Sequence, residues 1–115
     1  MIFVADNPNP RTSSIVIGAM IYEIAFQEGL STGGDALFGL HDPEELRLSI
    51  DSVQPVQRQV VAILHESLHA IDAQSALDLD ETQVRVLSFQ LMQLLRANPE
   101  LIKEMLEVLE DGDAE

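Results

Sequence analysis

The chain has no cysteine and no tryptophan, and only six of its 115 residues are lysine or arginine. Without cysteine, disulfides are impossible and any metal site must be built from nitrogen and oxygen ligands. With one tyrosine and four phenylalanines as its aromatic complement, the core must be filled by aliphatic side chains. The six basic residues face 20 acidic ones, for a net charge of −14. Such a surface repels phosphates and anionic lipid, which argues against nucleic-acid binding driven by counterion release and against a membrane-surface role. It leaves a basic protein partner open. A long hydrophobic run is also missing, because the most apolar segment, residues 15–26, is short and broken by Glu23. Residues 1–14 lack a basic region followed by an apolar stretch, so no signal peptide is expected. A cytoplasmic location follows as the expectation.

The length suits one domain, which we place at residues 15–110, with an N-terminal extension at 1–14 and an acidic tail at 111–115. Residues 1–5 suggest a short strand, and Asn7-Pro8-Asn9-Pro10 ends it. Ile15-Val16-Ile17 and residues 20–26 read as two strands around a Gly18-Ala19 turn. Residues 29–35 suggest a flexible loop. A third strand is expected at 36–40, a connection at 41–45 that includes His41, and a fourth strand at 46–50. In the fourth, Leu46, Leu48 and Ile50 alternate with Arg47 and Ser49. After Ser52 the period becomes helical. Pro55 suits a first helical position, and Val56, Val60, Leu64, Leu68 and Ile71 form the apolar stripe of a helix over 55–75. A second helix starts near Asp80, which has capping-box spacing to Gln83, with Val84, Leu87, Leu91, Leu94 and Leu95 facing inward. Asn98-Pro99 starts a third, whose expected buried face is Leu101, Ile102, Met105, Leu106 and Leu109. Strands first and helices afterwards predict an α+β fold: a small antiparallel or mixed sheet of three to four strands packed on the first helix, then two more helices.

The first helix contains His65-Glu66-Ser67-Leu68-His69. Residues four apart on a helix lie about 40° apart around the axis and about 6 Å along it, so His65 and His69 can aim two imidazoles at one cation. Glu66 lies off that line and is free to take a proton from a zinc-activated water and pass it to a leaving amine. This is the H-E-x-x-H arrangement of metallopeptidases. A catalytic zinc takes three protein ligands and keeps one open position. The third is His41, the only other histidine, or a carboxylate. Glu81 is the better candidate, since it heads the inward stripe of the second helix. Asp72, three residues after His69, can orient a histidine through its other ring nitrogen or serve as an alternative ligand. His41 and Tyr22 are candidates for stabilising an oxyanion. Arg85, four residues after Glu81, reads as its helical ion-pair partner.

Leu64-His65-Glu66-Ser67-Leu68-His69-Ala70-Ile71-Asp72, with Glu81, Val84, Leu87 and Ser88 downstream and Leu94-Leu95-Arg96-Ala97-Asn98-Pro99-Glu100-Leu101 after them, resembles the minimal zincins of phages, prophages and bacteria. The resemblance spans residues 15–102. It implies a compact gluzincin-like fold, one Zn2+ held by His65, His69 and Glu81, and Glu66 as general base in hydrolysis of a peptide bond. A peptide or protein would be the substrate, and a phage-encoded chain would work in the host cytoplasm. Two positions depart from the family pattern. Thr82 follows Glu81 where relatives often have a second acidic residue, and Arg85 stands where larger relatives carry an orienting aspartate. Two other functions compete with the peptidase: a non-catalytic zincin-fold protein that docks a basic partner, and an acidic mimic of nucleic acid.

Overall fold

The computed structural model describes residues 14–32, 35–36 and 38–111. The strand expected at 1–5 and most of the acidic tail lie outside them. The chain is α+β, as its sequence predicts. Its elements are β1 (Ser14–Ile17), β2 (Met20–Gln27), β3 (Ser31–Thr32), β4 (Asp35–Ala36), β5 (Gly39–Asp42), β6 (Arg47–Asp51), α1 (Val56–Ser75), α2 (Glu81–Ala97) and α3 (Pro99–Glu110).

Four strands form a mixed sheet in the order β1-β2-β6-β5. The hairpin β1–β2 is antiparallel and turns at Gly18, whose φ of 60° favours glycine. β6 then pairs parallel to β2, with Ile24 opposite Leu48 and Phe26 opposite Ile50. β5 pairs antiparallel to β6, with Gly39 opposite Ile50 and His41 opposite Leu48, and forms the edge next to α1. Residues 29–35, expected to be loop throughout, include the two-residue ribbon of β3 and β4. The third strand of the main sheet begins at Gly39 rather than at residue 36, so His41 belongs to the strand and the turn is confined to residues 43–46.

One sheet face packs on α1. Ile17, Tyr22 and Leu48 form a cluster with Ala70, and Ile24 and Ile50 form another with Ala62. The side of α1 against the sheet is therefore Gln59, Ala62, Glu66 and Ala70, which are its buried residues. The stripe expected there, Val56 to Ile71, is only partly buried, and Ile71 is exposed. Its Val60 lines a groove with Met92 and Leu95 of α2 instead. On the sheet side Ala62 and Ala70 let the helix axis approach closely, and Gln59 and Glu66 share that side with them. Gln59 is fully buried and donates through Nε2 to the carbonyls of Ser52 and Gln54 at 3.3 and 2.8 Å, which fixes the chain entering α1. Pro55 is the N-cap residue rather than the first helical one.

Asp80 and Gln83 make the expected capping box, with Gln83 N–H donating to Asp80 at 2.8 Å and Asp80 N–H donating to Gln83 Oε1 at 2.9 Å. The inward stripes of α2 and α3 need correction. In α2 only Val84 and Ser88 are buried, while Leu87, Leu94 and Leu95 are exposed. α3 starts at Pro99 as expected but buries no residue, and Leu101, Met105, Leu106 and Leu109 face solvent. Amphipathic period marks an apolar face and does not say whether anything covers it.

Asp51 ends β6 and ties three segments together. Its Oδ1 accepts from Gly29 N–H at 3.2 Å and Val53 N–H at 3.1 Å, and its Oδ2 accepts from the Gln54 amide at 3.1 Å. Desolvation pushes its pKa up, but hydrogen bonds from Gln54, Val53, Gly29 and Leu30 outweigh this, and the net shift is downward. A depressed carboxylate pKa adds stability above its ordinary range that disappears as pH falls through the folded-state value. Asp51→Asn is expected to lower unfolding stability by about 1–2 kcal/mol at neutral pH. The deficit should shrink below about pH 4, read from urea unfolding at both pH values; a pH-independent deficit would show that the charge is irrelevant.

Candidate metal centre

Three donors converge from two helices. His65 and His69 lie one turn apart on α1, with ring centroids 4.9 Å apart. Glu81 is the first residue of α2, and its position depends on a short connection in which Ala76 and Asp78 take left-handed backbone, φ 56° and 65°. Asp72 holds this connection. Its carboxylate accepts from Leu79 N–H at 3.3 Å, and its carbonyl accepts from Ala76 N–H at 2.8 Å. Asp72 thus positions the chain that carries Glu81, and its carboxylate is engaged there rather than with a histidine ring.

Glu81 Oε2 lies 3.0 Å from His65 Nε2, and Oε1 lies 2.9 Å from His69 Nε2. Since an ionised carboxylate only accepts, each imidazole donates from Nε2. One ligand atom from each residue lies within 4.8 Å of the others. Around a tetrahedral zinc with ligand bonds near 2.0–2.1 Å, neighbouring donors are about 3.3 Å apart. The two histidine–carboxylate separations fall a few tenths of an ångström short, while the group as a whole spans up to 4.8 Å, so the side chains would adjust to close on one dication. Burial lowers the pKa of His65, with Glu81 opposing and His69 and Arg85 adding to the shift. A neutral imidazole is the form that binds metal. The side chain of Glu81 is 66% exposed, so desolvation does not single it out; convergence does. No ion pair between Glu81 and Arg85 occurs among the described residues.

Glu66 points to the other side of the same turn, towards β5. It is buried, and desolvation first, then the charge of Glu81, pushes its carboxyl up to about 7. Gly39 makes room for it: a β-carbon there would stand 3.0 Å from Glu66 Cγ and 3.1 Å from Oε2. A glycine inside a strand signals a close approach, yet nothing in the sequence says to which side chain. His41 and Tyr22 are brought together, with the Tyr22 hydroxyl 3.1 Å from His41 Nε2. Burial lowers the His41 pKa, His69 lowers it further, and Asp42 opposes. Tyr22 belongs to the hydrophobic core, and His41 is near enough to His69 for their charges to interact.

The site opens into a cavity of about 540 Å³ between α1, α2 and the start of β5. His65, Glu66, Glu81 and Gly39 line it, together with Phe38, Arg58, Arg85 and Phe89. Sequence reasoning missed Arg58, Phe38 and Phe89; the only available signal was helical spacing of Arg58 with His65 and of Phe89 with Arg85 and Glu81.

No protein-family model, curated protein or solved structure matches the chain. Among the described residues, no helix is long and apolar enough to cross a membrane.

Proposed function

We propose that the protein is a zinc-dependent hydrolase of peptide bonds, with His65, His69 and Glu81 holding one Zn2+ and Glu66 acting as general base. The observation that carries this reading is a buried glutamate beside three converging donors, with Glu66, His65 and Glu81 lining one open cavity. When bound, zinc supplies a Lewis acid that polarises a carbonyl and makes water more acidic. Glu66, whose carboxyl lies near 7 without metal, is suited to take a proton near neutral pH and return it to the departing amine. β5 is the sheet edge beside the site. Among the described residues its outer side has no strand partner and can align an extended peptide by backbone hydrogen bonds, which would bring a carbonyl towards the metal site and Glu66. The raised pKa of Glu66 comes from its burial first and from the charge of Glu81 second, and Gly39 leaves the room it occupies.

A second reading, a zinc-binding domain that docks a basic protein without hydrolysis, draws support from the net charge of −14 and from the uncovered apolar face of α3. One set of measurements separates the two. Protein purified without added metal should carry about one equivalent of zinc. Glu66→Gln should keep that zinc while lowering the rate of hydrolysis across a peptide library by about 100-fold or more. Zinc-free protein would count against both readings. Zinc with equal, background-level turnover by wild type and variant would leave the binding domain alone standing.

A further inference from the structure

The cavity beside the proposed metal site brings two arginines up to Glu66 and Glu81. Only six residues of the chain are basic against 20 acidic, yet two of the six, Arg58 and Arg85, line this one cavity. Arg58 projects from α1 two turns before His65, and its guanidinium lies 5.0 Å from the centre of the Phe38 ring. Its nearest polar partner is the neutral Gln54 side chain, 3.5 Å away. Arg85 projects from α2 one turn after Glu81. Among the described residues neither arginine has a carboxylate in ion-pair range, whereas Arg47 is paired with Glu23 and Glu45. Arg96 and Lys103 likewise have no ion-pair partner among the described residues, so what sets Arg58 and Arg85 apart is that both border one largely apolar hollow. The hollow also exposes two aromatic rings, with Phe38 and Phe89 each 50% accessible. Its volume of about 540 Å³ is in the range that holds small ligands or one or two side chains.

We propose that this cavity selects substrates with a carboxylate close to the bond being cleaved. Arg58 and Arg85 clamp the carboxylate from opposite helices, and its methylene groups pack between Phe38 and Phe89. The proposal rests on the peptidase reading for the identity of the site, with the dication offsetting the negative charge of Glu81 and Glu66. Guanidinium geometry matches a planar carboxylate with paired hydrogen bonds, and charge-assisted bonds of this kind are the strong ones. The carboxylate has two sources with the same chemistry: an acidic side chain or the free C-terminus of the peptide.

The test uses three probes: acetyl-Ala-Glu-amide, acetyl-Ala-Gln-amide, and acetyl-Ala-Gln with a free terminal carboxylate. Binding is measured by calorimetry on zinc-loaded Glu66→Gln protein, so no turnover is needed, and repeated on metal-free protein. One carboxylate-bearing probe should bind about tenfold or more tighter than the neutral one, and which probe does so identifies the source. Arg58→Gln and Arg85→Gln should each reduce that preference below about threefold while zinc content stays unchanged. Equal affinity for all three probes overturns the proposal. So does the absence of measurable binding, or a preference that survives both arginine substitutions. Failure of the peptidase reading looks different: an arginine-dependent preference in a protein that never hydrolyses a peptide upholds the carboxylate site and removes the catalysis. Hydrolysis without preference does the reverse.

Discussion

Replacing Glu81 by Ala should lower zinc affinity by about 100-fold or more, since loss of a residue that merely orients a metal ligand already costs about 10- to 100-fold. Two histidines on one turn remain in Glu81→Ala, so weak binding persists, but the carboxylate that joins them across α1 and α2 is gone. Competition with a chelator of known affinity reads the change directly. A second consequence follows from linkage. Zinc stabilises the fold by an amount set by its concentration relative to Kd, so the zinc-dependent rise in Tm of the wild type should largely vanish in the variant. Asp72→Ala should act more weakly on affinity, because it loosens the connection carrying Glu81 without removing a donor. If Glu81→Ala binds zinc as tightly as wild type, the third ligand is another group.

Glu66→Gln in the metal-free protein should increase stability at pH 8. The carboxyl is raised from its ordinary 4.5 to about 7 by burial and by Glu81. A folded-state pKa above the unfolded one means stability that is complete below about pH 4.5 and lost as pH rises through about 7. Above that point the wild type holds an ionised carboxylate in a buried position beside Gly39, at a cost of about 3 kcal/mol as an upper value. Glutamine keeps the shape and carries no charge. The variant's gain should therefore approach that figure at pH 8 and be small at pH 5, read from urea unfolding in chelator. A gain of the same size at both pH values would place its origin in packing rather than ionisation. The same destabilising carboxylate is the group the proposed chemistry needs, an instance of function set against stability.

Much of this was legible in the sequence where local rules decide. The Asp80–Gln83 capping box, the Gly18 hairpin turn, the limits of α1 and the start of α3 at Pro99 all depend on a few adjacent residues. So does the one-turn spacing of His65 and His69. What was not legible depends on distant partners. The sheet side of α1 is alanine, glutamine and glutamate, so no search for large apolar residues finds it. The parallel pairing of β2 with β6 joins residues more than twenty apart in the chain, and no turn signal encodes it. Placing Glu81 on both histidines depended on two left-handed non-glycine residues, Ala76 and Asp78, which composition does not announce. Arg58 and Arg85 look like ordinary surface residues until α1 and α2 lie side by side.

α3 lends no side chain to the interior. Unwinding it should expose little that β1, β2, β6 or α1 bury, so its opening free energy is set by its own twelve residues and their limited packing on α2 rather than by the global stability. Helices of that length are marginal alone in water. Its backbone amides should then exchange with solvent through local opening, at rates unresponsive to zinc, while those of α1 and β6 exchange through whole-domain unfolding. The molecule has two grades of order along one chain: a core locked by the sheet and the histidine helix, and a C-terminal helix that can come and go without disturbing it.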